Sequence, residues 1–433
     1  GEELRDLFLA DYRRWRMDEV FDRPEEFFAQ SIARMAGQRL LGLNAIRSNP
    51  NVIGYSITGT VDQGMTAEGL WTTFRELKPG TADALFDGFA PLRWCLFVEP
   101  VNAYCTTPVK LEAVLANEDA LLPGKYPVRL QVVGPDASRA FERTVTVTIQ
   151  DPGTKPEPPM VLPVFAEELT IDGPPGKYRF MATFERSAAA AGEAVEFYMA
   201  DPAQMPPVES EVVLWGQDAE LAKWLVAHGI RTRPWSPDPP TKREVILASN
   251  TAAPPGGSTA FAELAGRIAC GSAVVFLSPA VFAADNQPTA LVPLADKGAL
   301  AVIPNWLYHK DEWCKQHPIF EGLPAGGLMD YTFYREIIPD VVWSGLDPPA
   351  EAIAAGINAS QGYSSGLMVA VYNLGQGRFI LNTLCIRDNL GSNPVAERLL
   401  RNTLNYAARD ANKPPADLPA DFDAQLRSYG YKK

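Results

Sequence analysis

Residues Asn51–Gly80, NVIGYSITGTVDQGMTAEGLWTTFRELKPG, decide how the rest of the chain is read. Val52–Thr60 predicts a buried strand. Val52, Ile53, Tyr55 and Ile57 are strand formers, and Asn49-Pro50 breaks the chain just before them. A polar run follows, Thr58, Thr60, Asp62, Gln63, Thr66 and Glu68, and then Trp71. The carboxyl end of the strand therefore opens into a carboxylate, an amide and an indole.

Upstream, Glu2–Trp15 reads as an amphipathic helix, with Leu4, Leu7, Phe8, Tyr12 and Trp15 at three- and four-residue steps. A second helix starts near Pro24, which suits a first helical position, and Glu25 and Glu26 follow where the helix dipole favours anions. Its apolar stripe is Phe28, Ile32, Met35, Leu40, Leu43 and Ile46. Helix, short turn and buried strand make half of a beta-alpha-beta repeat.

Downstream, Thr81–Phe89 continues as a short helix and Leu92–Pro100 as a strand. Further strands are predicted near Val109–Ala116, Gly124–Gly134, Phe141–Gln150, Val161–Ile171, Lys177–Phe184 and Ala194–Tyr198, with turn signals at Leu122-Pro123-Gly124 and Gly134-Pro135-Asp136. The stretch 91–205 thus reads as an antiparallel β-sandwich, in one piece or in two halves about the proline-rich joint Asp151–Pro159. Its aromatics, Trp94, Phe97, Phe180 and Phe184, are expected in the core.

From residue 206 the rhythm changes. Strands at Glu211–Gly216, Glu244–Ala248, Ala273–Leu277 and Leu300–Ile303 alternate with helices at Ala219–His228 and Phe261–Arg267, the pattern of a parallel sheet with helices on both faces. Met368–Tyr372 and Arg378–Thr383 read as an antiparallel hairpin, Pro394–Arg409 as an amphipathic helix, and 412–433 as an extended wrap with a polar end.

Two resemblances follow from these phrases. GYSITGTVDQ, GLWTTFRELKPGTADAL and PLRWCLFVEP together resemble the last barrel strand, last loop and last helix of a glycoside hydrolase family two enzyme of the beta-galactosidase type, in which a sandwich comes next. HPIFEGLP at His317–Pro324 and GQGRFILNTL at Gly375–Leu384 resemble phrases of class I glutamine-amidotransferase-like domains. The fold class they imply is multidomain α/β plus all-β. It comprises the end of a (β/α)8 barrel over 1–90, an immunoglobulin-like β-sandwich over 91–205, a flavodoxin-like three-layer α/β/α domain over 206–411 and a tail over 412–433. A barrel needs eight repeats and about 250 residues, so the other strands would lie upstream or on another chain.

The chemistry follows the same division. Glycosidases place two carboxylates across the scissile bond. The family's two glutamates sit on earlier barrel strands, and no residue here inherits their role; the catalytic residues are unknown. Asp62, Gln63, Glu68 and Trp71 remain as the expected substrate-binding set, with Asp62 and Gln63 bonding sugar hydroxyls and Trp71 offering a stacking face. A structural alternative stands beside it. Asp62 would cap the loop, Arg75 and Glu76 would form an ion pair, and Trp71 would pack in an interface. An amidotransferase needs a cysteine at a strand-to-helix elbow with a histidine beside it. The matching elbow reads Ser278-Pro279-Ala280, without cysteine. Gly362–Gly366, GYSSG, matches GxSxG by letters, with no hydrophobic strand recognised before it.

Bulk properties narrow the partners. A net charge of -13 over 433 residues argues against nucleic acid. No apolar run approaches a membrane span. Cys95, Cys105, Cys270, Cys314 and Cys385 form no CxxC, and His228, His309 and His317 have no ligand spacing, so no metal is expected; with no GxxxxGKS/T and no GxGxxG opening a helix, no cofactor is expected either. The expected partners are carbohydrate and either further copies of the chain or a missing barrel chain. Localisation stays open, with a periplasmic or secreted site slightly favoured.

Overall fold

The computed structural model describes all residues except 1, 53, 58, 63–67, 154–159, 250–255, 304–310, 360–361 and 433. It divides into two compact units, Phe28–Gln204 and, together, Gly1–Phe27 with Met205–Lys433. One carries mainly β-sheet and the other mixed α/β, so the chain is a multidomain α/β plus β protein.

Helix α1 spans Glu2–Arg14 and α2 spans Pro24–Arg47. In the 28–204 unit helix α3 spans Thr81–Gly88. The strands are β1 Leu92–Glu99, β2 Asn102–Tyr104, β3 Val109–Asn117, β4 Gly124–Val133, β5 Arg139–Ile149, β6 Val161–Leu169, β7 Gly176–Phe184 and β8 Ala194–Ala200. They form two sheets, β1-β3-β6 and β2-β8-β7-β4-β5, antiparallel except for β2 with β8. Period-two alternation explains the pairing of the sheets. Trp94, Leu96 and Val98 of β1, Leu111, Ala113 and Leu115 of β3, Val128, Leu130 and Val132 of β4, and Tyr178, Phe180 and Ala182 of β7 meet in one buried cluster. Phe97 lies off it; the other expected core aromatics pack in or against it.

The second unit has strands β9 Val212–Trp215, β10 Thr232–Pro234, β11 Val245–Ala248, β12 Ala273–Phe276, β13 Lys297–Val302, β14 Asp311–Cys314, β15 Gly327–Leu328, β16 Val341–Leu346, β17 Glu351–Ala359, β18 Tyr363–Leu374 and β19 Gly377–Asn382. Its remaining helices are α4 Ala219–Ala227, α5 Gly257–Ala269, α6 Pro394–Ala407 and α7 Phe422–Ser428. The order β10-β9-β11-β12-β19 is parallel, and β18, β17, β14 and β15 extend it antiparallel. Val213, Trp215, Ile246, Val274, Phe276, Phe379 and Leu381 join a core with α1, α5 and α7. The intervening Val212, Val245, Leu247, Val275 and Ile380 are equally buried, on the face opposite, and α6 packs against β12. Asn393 starts α6 by accepting from Val395 N at 2.9 Å, with Pro394 in the first turn.

Four expectations change. Among the described residues of 52–60 there is no strand; Val52, Tyr55 and Ile57 are exposed, and no neighbour offers a ladder to them. Helix α1 joins the α/β unit. Phe8 and Tyr12 are one turn apart, and Trp15 lies 6.4 Å from Trp313, centroid to centroid. The tail is not an extended wrap, because α7 inserts Phe422 and Leu426 into the core, followed by Tyr431. The sheet is only partly parallel: β17 and β18 pair antiparallel, although the alanine-rich EAIAAGINA carries little strand propensity.

Candidate functional site

The expected sugar-binding loop is built on backbone pairing. Trp71 bridges Val61 in parallel and Leu77 in antiparallel register. Asp62 N donates to Trp71 O at 2.8 Å, Trp71 N to Thr60 O at 3.1 Å, and Lys78 N to Leu70 O at 2.9 Å. The indole is 38% exposed on this frame. Beyond it the chain turns at 72–76, where Thr72 N donates to Glu76 O and Arg75 N to Thr72 O, both at 2.8 Å. Arg75 adopts φ 65° and Phe74 stands 86% exposed at the tip. Arg75 and Glu76 therefore shape a turn and form no ion pair with each other.

Asp62 faces inward. Its Oδ1 accepts from Gly69 N and from Lys78 Nζ, each at 2.8 Å, and Lys78 is buried. Position 69 requires glycine, because a Cβ there would lie 2.5 Å from Asp62 N. The Glu68 carbonyl accepts from the Arg39 guanidinium, and the Glu68 side chain lies against Gly59. Burial pushes the Arg39 guanidinium down, against the pull of Asp62 and Glu68. The loop thus brings Asp62 and Glu68 towards Arg39. Gln63 lies outside the described residues. Lys78 and Arg39 went unrecognised in the sequence, since neither sits in a periodic or motif context.

The α/β unit has no nucleophile elbow at Ser278. Its φ and ψ are -139° and 139°, ordinary extended values, and its Oγ accepts from Ala280 N at 3.3 Å, opening a short 3-10 turn. The five cysteines are free thiols. Burial pushes Cys314 up to about 12, away from thiolate chemistry. GYSSG proves to follow a strand after all, β17, but it enters the antiparallel partner β18 and no helix, so it forms no elbow either; Ser365 Oγ donates to Asp11 Oδ2 at 2.5 Å.

His317, in the HPIF phrase, caps a 3-10 turn. Its Nδ1 accepts from Ile319 N at 3.2 Å, so its Nε2–H faces Glu351 Oε2 at 3.2 Å. Tyr406 OH donates to the other Glu351 oxygen at 2.5 Å. The hydrogen bond from His317 holds Glu351 down to about 2, with Tyr406 assisting against partial burial. Each of the two Glu351 oxygens thus has a donor.

At the carboxyl end of β9, Asp218 caps α4 through Leu221 N at 3.0 Å and pairs bidentately with Arg387, both bonds 2.8 Å. The capping signal, Asp before an apolar helix, was present in the sequence; the distant Arg387 was not signalled. Among the described residues no group of three or more His, Cys, Asp or Glu side chains is arranged to hold a metal ion, and no helix is long and apolar enough to cross a membrane.

No protein-family model matches the sequence, and no curated protein matches it. Solved structures give partial similarities. One is the alkylpurine DNA glycosylase AlkC of Pseudomonas fluorescens bound to DNA containing an abasic site analog, 15% identical, TM-score 0.19, covering 28% of this chain and 38% of that one. Another is a glycosyl hydrolase family 2 member from Bacteroides cellulosilyticus, 14% identical, TM-score 0.20, covering 43% of this chain and 25% of that one. The chain thus spans well under half the length of either.

Proposed function

We propose that this chain is the carboxyl-terminal portion of a family-two-like glycoside hydrolase acting on carbohydrate. It supplies one wall of the sugar site, and the catalytic glutamates lie upstream or on another chain. On this reading 28–90 completes a (β/α)8 barrel, the paired sheets are an immunoglobulin-like sandwich, and the α/β unit is a flavodoxin-like, degenerate amidotransferase-like domain.

One observation carries the proposal. A segment with strand composition, Val52, Tyr55 and Ile57, lies exposed without ladder partners, and downstream of it Trp71 is held by backbone bridges to Val61 and Leu77. Such a segment is what remains of a barrel strand when its neighbours are elsewhere. Trp71 is the group for ligand contact. Asp62, Gln63 and Glu68 complete the proposed wall, with Asp62 acting through the loop it holds.

A non-catalytic scaffold or oligomerisation module is the second reading. It is favoured by the relaxed geometry at Ser278, which leaves the α/β unit without a nucleophile there. An assay on nitrophenyl glycosides separates the two. The chain as given is expected to be inactive, whereas the chain supplied with the rest of the barrel, as an upstream extension or as a separate barrel chain, is expected to turn over at least one. Inactivity of both across the panel would favour the scaffold.

A further inference from the structure

The parallel strands run in the order β10-β9-β11-β12-β19, so the chain leaves β9 first to one side and then crosses to the other. In open α/β sheets that reversal opens a crevice at the carboxyl ends of the two central strands, where ligands sit. Here Trp215, Gly216, Asp218, Pro234, Leu247 and Ser249 line such a crevice, open to solvent and about 470 Å³ in volume, the size of a small-molecule site.

Four donors converge at its edge, and one carboxylate takes all of them. Asp218 Oδ1 accepts from Leu221 N at 3.0 Å and Arg387 Nη2 at 2.8 Å; Oδ2 accepts from Arg387 Nε at 2.8 Å and Ser249 Oγ at 2.9 Å. A backbone N–H at a helix start, a guanidinium fork and a hydroxyl are the set that would hold a phosphate or carboxylate ligand. We propose that Asp218 is an internal occupant of this anion cradle and sets the charge specificity of the crevice. With Asp218 in place, phosphate- and carboxylate-bearing ligands are excluded; without it, the crevice takes them.

Thermal unfolding of the full chain, titrated with inorganic phosphate against chloride of equal ionic strength, tests this. Phosphate also stabilises proteins generally, so Arg387→Met in the same background is the control. For the wild type we expect no phosphate shift dependent on Arg387. Asp218→Gly, which helix starts tolerate, should gain a saturable upward shift of the midpoint that Asp218→Gly/Arg387→Met loses. If the glycine variant fails to fold, Asp218→Ser keeps a cap with a shorter side chain and should show the same gain. An Arg387-dependent phosphate shift in the wild type, or a folded Asp218 variant without one, would overturn the proposal.

Discussion

Lys78 Nζ lies 2.8 Å from Asp62 Oδ1, and only 3% of the Lys78 side chain is open to solvent. The same oxygen accepts from Gly69 N, so one carboxylate ties the start of the loop to its middle and its end. Removing one member of such a pair leaves a buried charge uncompensated, which costs about 3–5 kcal/mol. Lys78→Met and Asp62→Asn should each lower the urea midpoint accordingly and open 59–78 to proteolysis. The double variant should cost less than the sum, because the two sites share one interaction.

That pairing was invisible in the sequence. Asp62 was legible as a polar group after an apolar run, but its partner is 16 positions on, at no periodic spacing. The β9, β11, β12 and β19 strands were legible because short apolar runs between helices have one economical packing. The β17–β18 pair was not: its alanine-rich first strand is decided by burial on both faces, with little help from propensity. Residues 52–60 misled in the opposite direction. Their composition reports a strand, while a strand also needs neighbours to accept its backbone groups.

Asp11 anchors the amino-terminal helix from within. Tyr363 OH and Ser365 Oγ donate to its Oδ2 at 2.6 and 2.5 Å, and Arg14 to its Oδ1 at 2.5 Å. Hydrogen bonds to a charged group contribute about 1.5–3 kcal/mol. Tyr363→Phe should lower stability by that order and speed amide exchange in α1. Unchanged exchange there would show that Phe8, Tyr12 and Trp15 hold the helix alone.

Glu351 sets an acid limit. Its carboxyl, ordinarily near 4.5, is held down to about 2 by His317, then Tyr406. A depressed carboxyl contributes stability that is present above its unfolded value and is lost as pH falls through the folded one. The contribution should therefore fade between about 4.5 and about 2. Glu351→Gln should remove that part of the pH dependence and leave the slope elsewhere intact.

The 28–204 unit exposes Phe28, Leu41, Tyr55, Trp71, Phe74 and Phe86. Apolar groups of this size gain about 1.5–3 kcal/mol each on burial. We expect the chain by itself to associate, and light scattering to give more than one copy per particle. Phe74→Ser and Phe86→Ser should shift the particles towards monomer. A clean monomer at tens of micromolar protein would count against an incomplete barrel.

Trp71 decides the central claim. In the chain supplied with the rest of its barrel, Trp71→Ala should lower kcat/KM on a nitrophenyl glycoside about 10-fold or more, as lost aromatic contact would, mainly through KM. Circular dichroism should be unchanged. An unaltered kcat/KM in a folded Trp71→Ala enzyme, or turnover by the chain as given, would contradict the assignment of 59–78 as a wall of a sugar site completed by other residues.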